Sequence, residues 1–304
     1  MRILSLFDCP LRDIKEFLPL IKEQGFNAVQ ISPLQHTKDD SSKEWWMLYQ
    51  PLGFELGNKI GSKEELKELC QEANKEGILI IADTVVNHLA NNFDGNPLEP
   101  NLGADPDLIS DPACWKVKKQ VDNWDDRYQV TNFCMGLPGL NPHSKKVQAK
   151  VINMLNQYAD LGVNGFRFDA AKSIALPEEG CDFFPVITYS LNRWLPIIYG
   201  EVLFANDDLI DKYARYMRVL TNSHSDNRDA IIKFVENKDS FLSGDLGWTA
   251  NWPKERVTEE YQYLTREYPN TLYYARNYTD DWYEWKSPRI KEANHQYVKR
   301  YRRK

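Results

Sequence analysis

Short apolar runs alternate with amphipathic stretches along most of the chain. Residues 3–7, 28–32 and 78–85 are rich in apolar and β-branched side chains. Such runs predict strands that are buried on both faces of a parallel sheet. Residues 63–76 instead carry apolar side chains at helical spacing, and Ser62 is placed to cap that helix. The alternation predicts a parallel sheet with helices packed outside it.

Five more runs bring the number of candidate strands to eight. They lie at residues 163–168, 196–202, 216–221, 231–236 and 271–275. Helical patterns cover residues 11–24 and 145–161. Eight strands alternating with helices predict an α/β fold, a (β/α)8 TIM barrel. The loop-rich stretch after the third strand is too long for an ordinary connection, so we expect a small inserted subdomain at residues 89–142, with the barrel formed by residues 1–88 and 143–304.

Composition narrows the classes of ligand. The 304 residues carry a formal net charge of −6, which argues against nucleic acid as a partner. The basic residues 299–304 are better explained as a solvated terminal helix than as a binding arm. Aromatic residues make up 12% of the chain, which suits a sugar ligand whose apolar ring faces stack on aromatic side chains.

The same composition bears on where the protein acts. The five cysteines show no metal-type spacing, so we expect reduced thiols. No apolar run reaches membrane-spanning length, and the first residues do not form a signal peptide. The sequence therefore predicts a cytoplasmic protein without a membrane partner, and it leaves the oligomeric state open.

Carboxylates stand at the ends of several predicted strands. Asp83 ends the third strand, Asp169 the fourth and Glu201 the fifth, and Asp239 follows the seventh. Because the active site of a (β/α)8 barrel lies at the carboxyl ends of its strands, we expect these four groups to converge. Repulsion among them would be costly unless a sugar, a cation or a catalytic need required them.

The spacing of charges suggests how two of these carboxylates would work. Arg167 lies two residues before Asp169, so on a strand both side chains point into the barrel and the guanidinium keeps the carboxylate ionised. Glu201 follows an apolar run, which favours a raised pKa and a role as general acid. A nucleophilic carboxylate and a carboxylic acid about 5–5.5 Å apart give a double displacement with retention of configuration.

The four carboxylates lie in four short segments, residues 83–88 (DTVVNH), 165–172 (GFRFDAAK), 199–202 (YGEV) and 234–239 (FVENKD). In this order, the segments resemble the four signature regions of the alpha-amylase family, glycoside hydrolase family 13. Residues 45–51 (WWMLYQP) are similar to the family's segment after the second strand, and residues 136–141 (GLPGLN) to the end of its inserted domain. The resemblance extends from the first strand to the eighth. The residues after the eighth predicted strand are enough for about one helix, so we expect this sequence to lack the β-sandwich domain that usually follows the family's barrel.

The resemblance implies a role for each matching residue. Asp169 would be the nucleophile, Glu201 the acid/base, and Asp239 a ligand of the ring hydroxyls that stabilises the transition state. The substrate-binding residues implied in the same way are Tyr49, Gln50, Trp45, Trp46, Asp83, His88, Arg167, Lys172 and Lys238.

Three positions depart from the family pattern. Lys238 stands where the family has histidine. An ammonium can only donate hydrogen bonds to a sugar, whereas a neutral imidazole can also accept them, so we expect reduced or redirected activity. Ser173 replaces a histidine on the leaving-group side. Asn87 matches a calcium ligand of the family, but Gly139 stands where a second ligand, an aspartate, is expected, so calcium is an optional cofactor here.

The sequence is compatible with three functions. The leading one is a retaining hydrolase of α-1,4-glucosidic bonds in starch, glycogen or maltooligosaccharides. A transglycosylase or another α-glucoside-active enzyme would share the same catalytic trio. A catalytically weak homologue that binds glucan or serves as a scaffold is the third, and Lys238 is its main support.

Overall fold

The computed structural model describes residues 1–92, 96–242, 248–276 and 284–301, and the side chains of all of these except 284 and 297–301. Within them, eight parallel strands close into a barrel, so the predicted (β/α)8 barrel is confirmed. Its strands are β1 (Arg2–Leu6), β2 (Ala28–Ile31), β5 (Leu79–Thr84), β8 (Gly165–Phe168), β9 (Ile197–Glu201), β10 (Arg218–Thr221), β11 (Ile231–Phe234) and β12 (Thr271–Tyr274). They are hydrogen-bonded in the order β1-β12-β11-β10-β9-β8-β5-β2.

Four further strands form two small sheets outside the barrel. An antiparallel hairpin joins β3 (Gln35–Thr37) to β4 (Pro51–Leu56), and β6 (Val117–Gln120) pairs with β7 (Phe133–Cys134). The hairpin was not predicted from the sequence. It brackets the short 3-10 helix Trp45–Tyr49 and thereby places the aromatic residues of that segment above the barrel.

Helices surround the barrel and connect its strands. They are α1 (Leu11–Glu23), α2 (Lys63–Glu76), α3 (Pro106–Ile109), α4 (Arg127–Asn132), α5 (Lys145–Asp160), α6 (Phe183–Tyr189), α7 (Asp207–Ala214), α8 (Lys238–Leu242), α9 (Lys254–Glu267) and α10 (Pro288–Tyr301).

Local sequence signals define the ends of α2. The Ser62 hydroxyl accepts from the backbone N–H of Glu65 at 3.2 Å, and the Glu65 carboxylate accepts from the backbone N–H of Ser62 at 2.8 Å. Gly77 ends the helix in the left-handed conformation, with φ of 70°. Both ends therefore satisfy backbone groups that the helix itself leaves without partners.

The stretch between β5 and α5 is less irregular than its sequence indicates. It contains α3, β6, α4 and β7. A bridge from His88 to Gly139 joins its end to the segment that follows β5, and a bridge from Trp115 to Leu140 lies within the stretch itself. The division of the chain into a barrel and an inserted subdomain at residues 89–142 stays a prediction.

Candidate active site

The predicted carboxylates lie at one rim of the barrel because the strands are parallel and in register. Asp83 on β5 is the neighbour of Arg167 on β8, and Arg167 is in turn the neighbour of Tyr199 on β9. Asp169 follows β8 directly, and Glu201 is the last residue of β9. Asp83, Asp169 and Glu201 are all buried, so their charges interact strongly.

Arg167 connects three of these carboxylates. Its Nη1 donates to Asp83 Oδ1 at 2.7 Å and Oδ2 at 2.9 Å, and to Asp169 Oδ1 at 2.7 Å. Its Nη2 donates to the Glu201 carboxylate, which also accepts from the backbone N–H of Ala170 at 3.3 Å. One guanidinium therefore fixes the directions of both predicted catalytic groups.

Lys238 is the second cation of the site. Its Nζ lies 2.9 Å from Asp239 Oδ2, 3.5 Å from Asp169 Oδ1 and 3.9 Å from Glu201 Oε1. The structure thus brings Lys238 to Asp239, Glu201 and Asp169 together. Burial alone would lower the pKa of Lys238, but the surrounding carboxylates raise it, so the side chain is an ammonium.

The environment separates the pKa values of the two central carboxyl groups. Burial would raise the pKa of Asp169, but the Lys238 ammonium and the Arg167 guanidinium lower it to about 2. Burial raises the pKa of Glu201 in spite of the same two cations. Burial also raises the pKa of Asp83, although it bonds to Arg167 directly. Asp169 is thus favoured as a carboxylate and Glu201 as a carboxylic acid.

Tyr49 and His88 complete the wall around Asp83. The Tyr49 hydroxyl donates to Asp83 Oδ2 at 2.7 Å, and His88 Nε2 lies 3.0 Å from the Tyr49 carbonyl oxygen. Burial lowers the pKa of His88, so the ring is neutral and its Nε2 carries the hydrogen donated to that carbonyl. The Lys238 ammonium lies over the Tyr49 ring at 4.3 Å from its centroid, and a sugar stacking on that face would have to displace it.

A cavity of about 560 Å³ opens above these groups. It brings together most of the residues that the sequence singled out, whereas Asp83 and Arg167 lie beneath it. The predicted residues that line it are Trp45, Trp46, Tyr49, Gln50, His88, Asp169, Lys172, Glu201, Lys238 and Asp239.

Several lining residues were missed by sequence reasoning. Met135 and Leu137 come from the stretch between β5 and α5, and Leu203 and Phe204 follow β9. Phe204 has a φ of 51°, which is rare for a bulky residue, and its ring is exposed and packs edge-on against Trp248 at 5.4 Å. Apolar residues in loops carry no pattern that distinguishes a ligand wall from core packing.

A much smaller cavity, about 20 Å³, lies under the site. It is lined by Arg167, Asn237 and Tyr274, whose Nε, Nδ2 and hydroxyl have no hydrogen-bond partner within the described parts of the chain. The volume fits one water molecule, and three polar groups are enough to hold it. A small polar pocket therefore lies directly under the candidate site.

The residues around Asn87 do not fit a calcium site. Its Oδ1 accepts from Lys116 Nζ at 2.7 Å, and its Nδ2 donates to Met135 Sδ at 3.2 Å. No group of three or more His, Cys, Asp or Glu residues suited to a metal is found within the described residues. Calcium needs several oxygen ligands, whereas here the Asn87 amide oxygen already accepts a hydrogen bond from a lysine amino group.

Comparison with known proteins places this fold and site in a family. A sequence profile of the alpha-amylase catalytic domain matches residues 9–232. An alpha-amylase from Clostridium acetobutylicum is 39% identical over 259 residues, which cover 80% of this chain and 32% of that protein. An alpha-amylase-related protein from Drosophila auraria is 34% identical over 182 residues, 57% of this chain and 37% of that protein. The chain thus spans about a third of the length of these curated relatives.

The fold is also found in solved structures. An alpha-amylase from Geobacillus thermoleovorans, complexed with acarbose, superposes with a TM-score of 0.76 at 17% identity, covering 98% of this chain and 78% of that one. The closed parallel barrel with carboxylates at its rim defines a (β/α)8-barrel enzyme. The chain belongs to the alpha-amylase family of glycoside hydrolases, and the match runs through the catalytic domain.

The helices in the described part of the chain include none with the length and apolar character of a membrane span.

Proposed function

We propose that this protein is a retaining hydrolase of α-1,4-glucosidic bonds, acting on starch, glycogen or maltooligosaccharides. The observation that carries the proposal is the pair of bonds from one guanidinium, Arg167, to Asp169 and to Glu201. A shared guanidinium holds the two carboxyl groups close together, which suits a direct nucleophile better than the separation of about 6.5–9.5 Å that an inverting enzyme needs for its water.

In the first step, Asp169 attacks the anomeric carbon while Glu201 gives its proton to the glycosidic oxygen of the leaving sugar. The pKa of Asp169, about 2, keeps the nucleophile ionised, and burial raises the pKa of Glu201, which favours its protonated form. In the second step, the Glu201 carboxylate takes a proton from water, the water attacks the same carbon, and Asp169 is released. Two inversions restore the α configuration.

The walls of the cavity suit a carbohydrate chain. Trp45, Trp46 and Tyr49 supply aromatic side chains to the cavity that Asp169 lines. Lys172 and Phe204 line the same cavity as Glu201, and Lys172 Nζ donates to the Phe204 carbonyl at 3.3 Å. Sugar recognition is proposed on both sides of the scissile bond.

A catalytically weak, glucan-binding protein is the second candidate. The observation that favours it is the contact between Lys238 Nζ and Asp239 Oδ2 at 2.9 Å, because an ammonium held there competes with the sugar hydroxyls for that carboxylate. In this case the protein would bind maltooligosaccharide without releasing reducing ends.

The test is release of reducing sugar from starch and maltoheptaose by wild type, Glu201→Gln and Glu68→Gln. Glu68 lies on α2 and pairs with Lys15 on the outside of the barrel, so it serves as the matched control. We expect Glu201→Gln to lose at least about 10³-fold in kcat and Glu68→Gln to equal wild type. Wild-type activity equal to that of Glu201→Gln would reject hydrolysis of these substrates, and binding of maltoheptaose in calorimetry would then support the second candidate. Chromatography of the products separates hydrolysis from transfer to a second sugar.

A further inference from the structure

The side chain of Lys116 crosses the junction between the stretch of residues 89–142 and the barrel. Its Nζ donates to Asn87 Oδ1 at 2.7 Å and to the Ser173 carbonyl oxygen at 2.6 Å. Its backbone N–H donates to the Gly139 carbonyl at 2.8 Å. The side chain is only 7% exposed, so these bonds are made away from water.

The two oxygens that accept hydrogen bonds from Lys116 Nζ belong to separate parts of the fold. Asn87 follows β5, Ser173 lies in the turn after β8, and Lys116 precedes β6 outside the barrel. One amino group therefore ties together three chain segments that are distant in sequence. An amide oxygen and a backbone carbonyl converging on one point are the kinds of ligand that a hard cation takes.

Gly139 makes the path of this lysine possible. A Cβ built at Gly139 would lie 2.8 Å from Lys116 Cδ and 3.3 Å from its Cβ and Cγ. A side chain at residue 139 and the observed position of Lys116 therefore exclude each other. Gly139 is also the position at which the sequence lacks the second expected calcium ligand. The absence of a side chain at residue 139 therefore removes that carboxylate and at the same time leaves room for the Lys116 side chain.

We propose that the Lys116 amino group occupies the position of a structural cation, so that this junction is held by the chain itself and takes no calcium. The proposal concerns folding stability and is independent of the proposed hydrolase activity.

Thermal unfolding of the full chain tests the first part. We expect the Tm of wild type to be the same in EDTA and in millimolar CaCl2. Lys116→Met should lower the Tm by roughly 5–10 °C, because two buried oxygens lose their donor. Lys118→Met is the control, since Lys118 pairs with Glu99 at the surface, and its Tm should stay within about 2 °C of wild type.

A paired substitution tests the cation position itself. In K116A/G139D the lysine is removed and a carboxylate is placed beside Asn87, so we expect CaCl2 to raise the Tm by several degrees over EDTA, with no such rise in K116A alone. A calcium-dependent Tm in wild type, or a Tm of Lys116→Met equal to that of Lys118→Met, would overturn the proposal. Should the Lys116 variants fail to fold, calcium titration of wild type by calorimetry decides: tight stoichiometric binding overturns the proposal and no binding supports it.

Discussion

Replacing Lys238 with methionine should move the whole pH profile of activity to higher pH. The ammonium lies 3.5 Å from Asp169 Oδ1 and 3.9 Å from Glu201 Oε1, and methionine keeps most of its volume without the charge. Losing a cation raises the pKa of each neighbouring carboxyl. In the proposed mechanism Asp169 works ionised, so the acidic limb moves up, and Glu201 works protonated, so the alkaline limb moves up with it.

The size of the shift follows from the distances. A unit charge at 3.5 Å is worth about 1 kcal/mol in a water-like medium and about 5 kcal/mol at an effective dielectric constant of 20. At about 1.4 kcal/mol per pH unit, each limb should move by roughly 1 to 3 pH units. Arg167 remains in contact with both carboxylates and limits the shift, so the lower half of that range is expected.

The assay is kcat/KM on maltoheptaose at closely spaced pH values for wild type, Lys238→Met and Lys172→Met. Lys172 lines the same cavity but donates to the Phe204 carbonyl, so its removal should raise KM and leave both limbs in place. Limbs that stay within about 0.3 pH units in Lys238→Met would refute the electrostatic role. Movement of one limb alone would limit that role to one of the two carboxyl groups.

Three further substitutions test the fold around the site. Arg167→Met leaves buried carboxylates without their cation, so urea titration should show a loss of about 3–5 kcal/mol in the free energy of unfolding. A loss below about 1 kcal/mol would contradict the central role of these ion pairs. Gly165→Ala places a Cβ 2.1 Å from the Ile197 carbonyl oxygen, which cannot move without breaking the sheet. We therefore expect the free energy of unfolding to fall by more than about 3 kcal/mol, or the variant not to fold. A stable variant would mean that the two strands can separate locally. Ser62→Ala removes the cap of α2 and should cost about 1 kcal/mol in the same titration with kcat unchanged, whereas an altered kcat would show that α2 is coupled to the site.

The positions of the strands were predictable because buried strands are apolar runs. All eight barrel strands lie within two residues of the predicted bounds at each end. The bounds of α2 were predicted to the residue, since Ser62 and Gly77 signal its ends directly. A repeating local pattern therefore identified the elements, and their alternation identified the barrel.

Part of the candidate site follows from the same information. Asp83, Asp169 and Glu201 stand at strand ends, and parallel strands bring their ends to one rim whatever the loops do. Arg167 was placed beside Asp169 by the two-residue period of a strand, and the structure has that contact at 2.7 Å. Their catalytic roles remain proposals.

The sequence by itself thus determined the barrel, the rim and the carboxylates that meet there, because each depends on local periodicity and on the direction of parallel strands. Only the tertiary structure decided the contact of Lys238 with three carboxylates, the packing of the Lys116 side chain against Gly139 and the exposure of the Phe204 ring. Each of these depends on where a loop returns in space, and the path of a loop is set by packing against residues far away in the chain. Charge at the rim was readable in the sequence, whereas the partners of that charge were not.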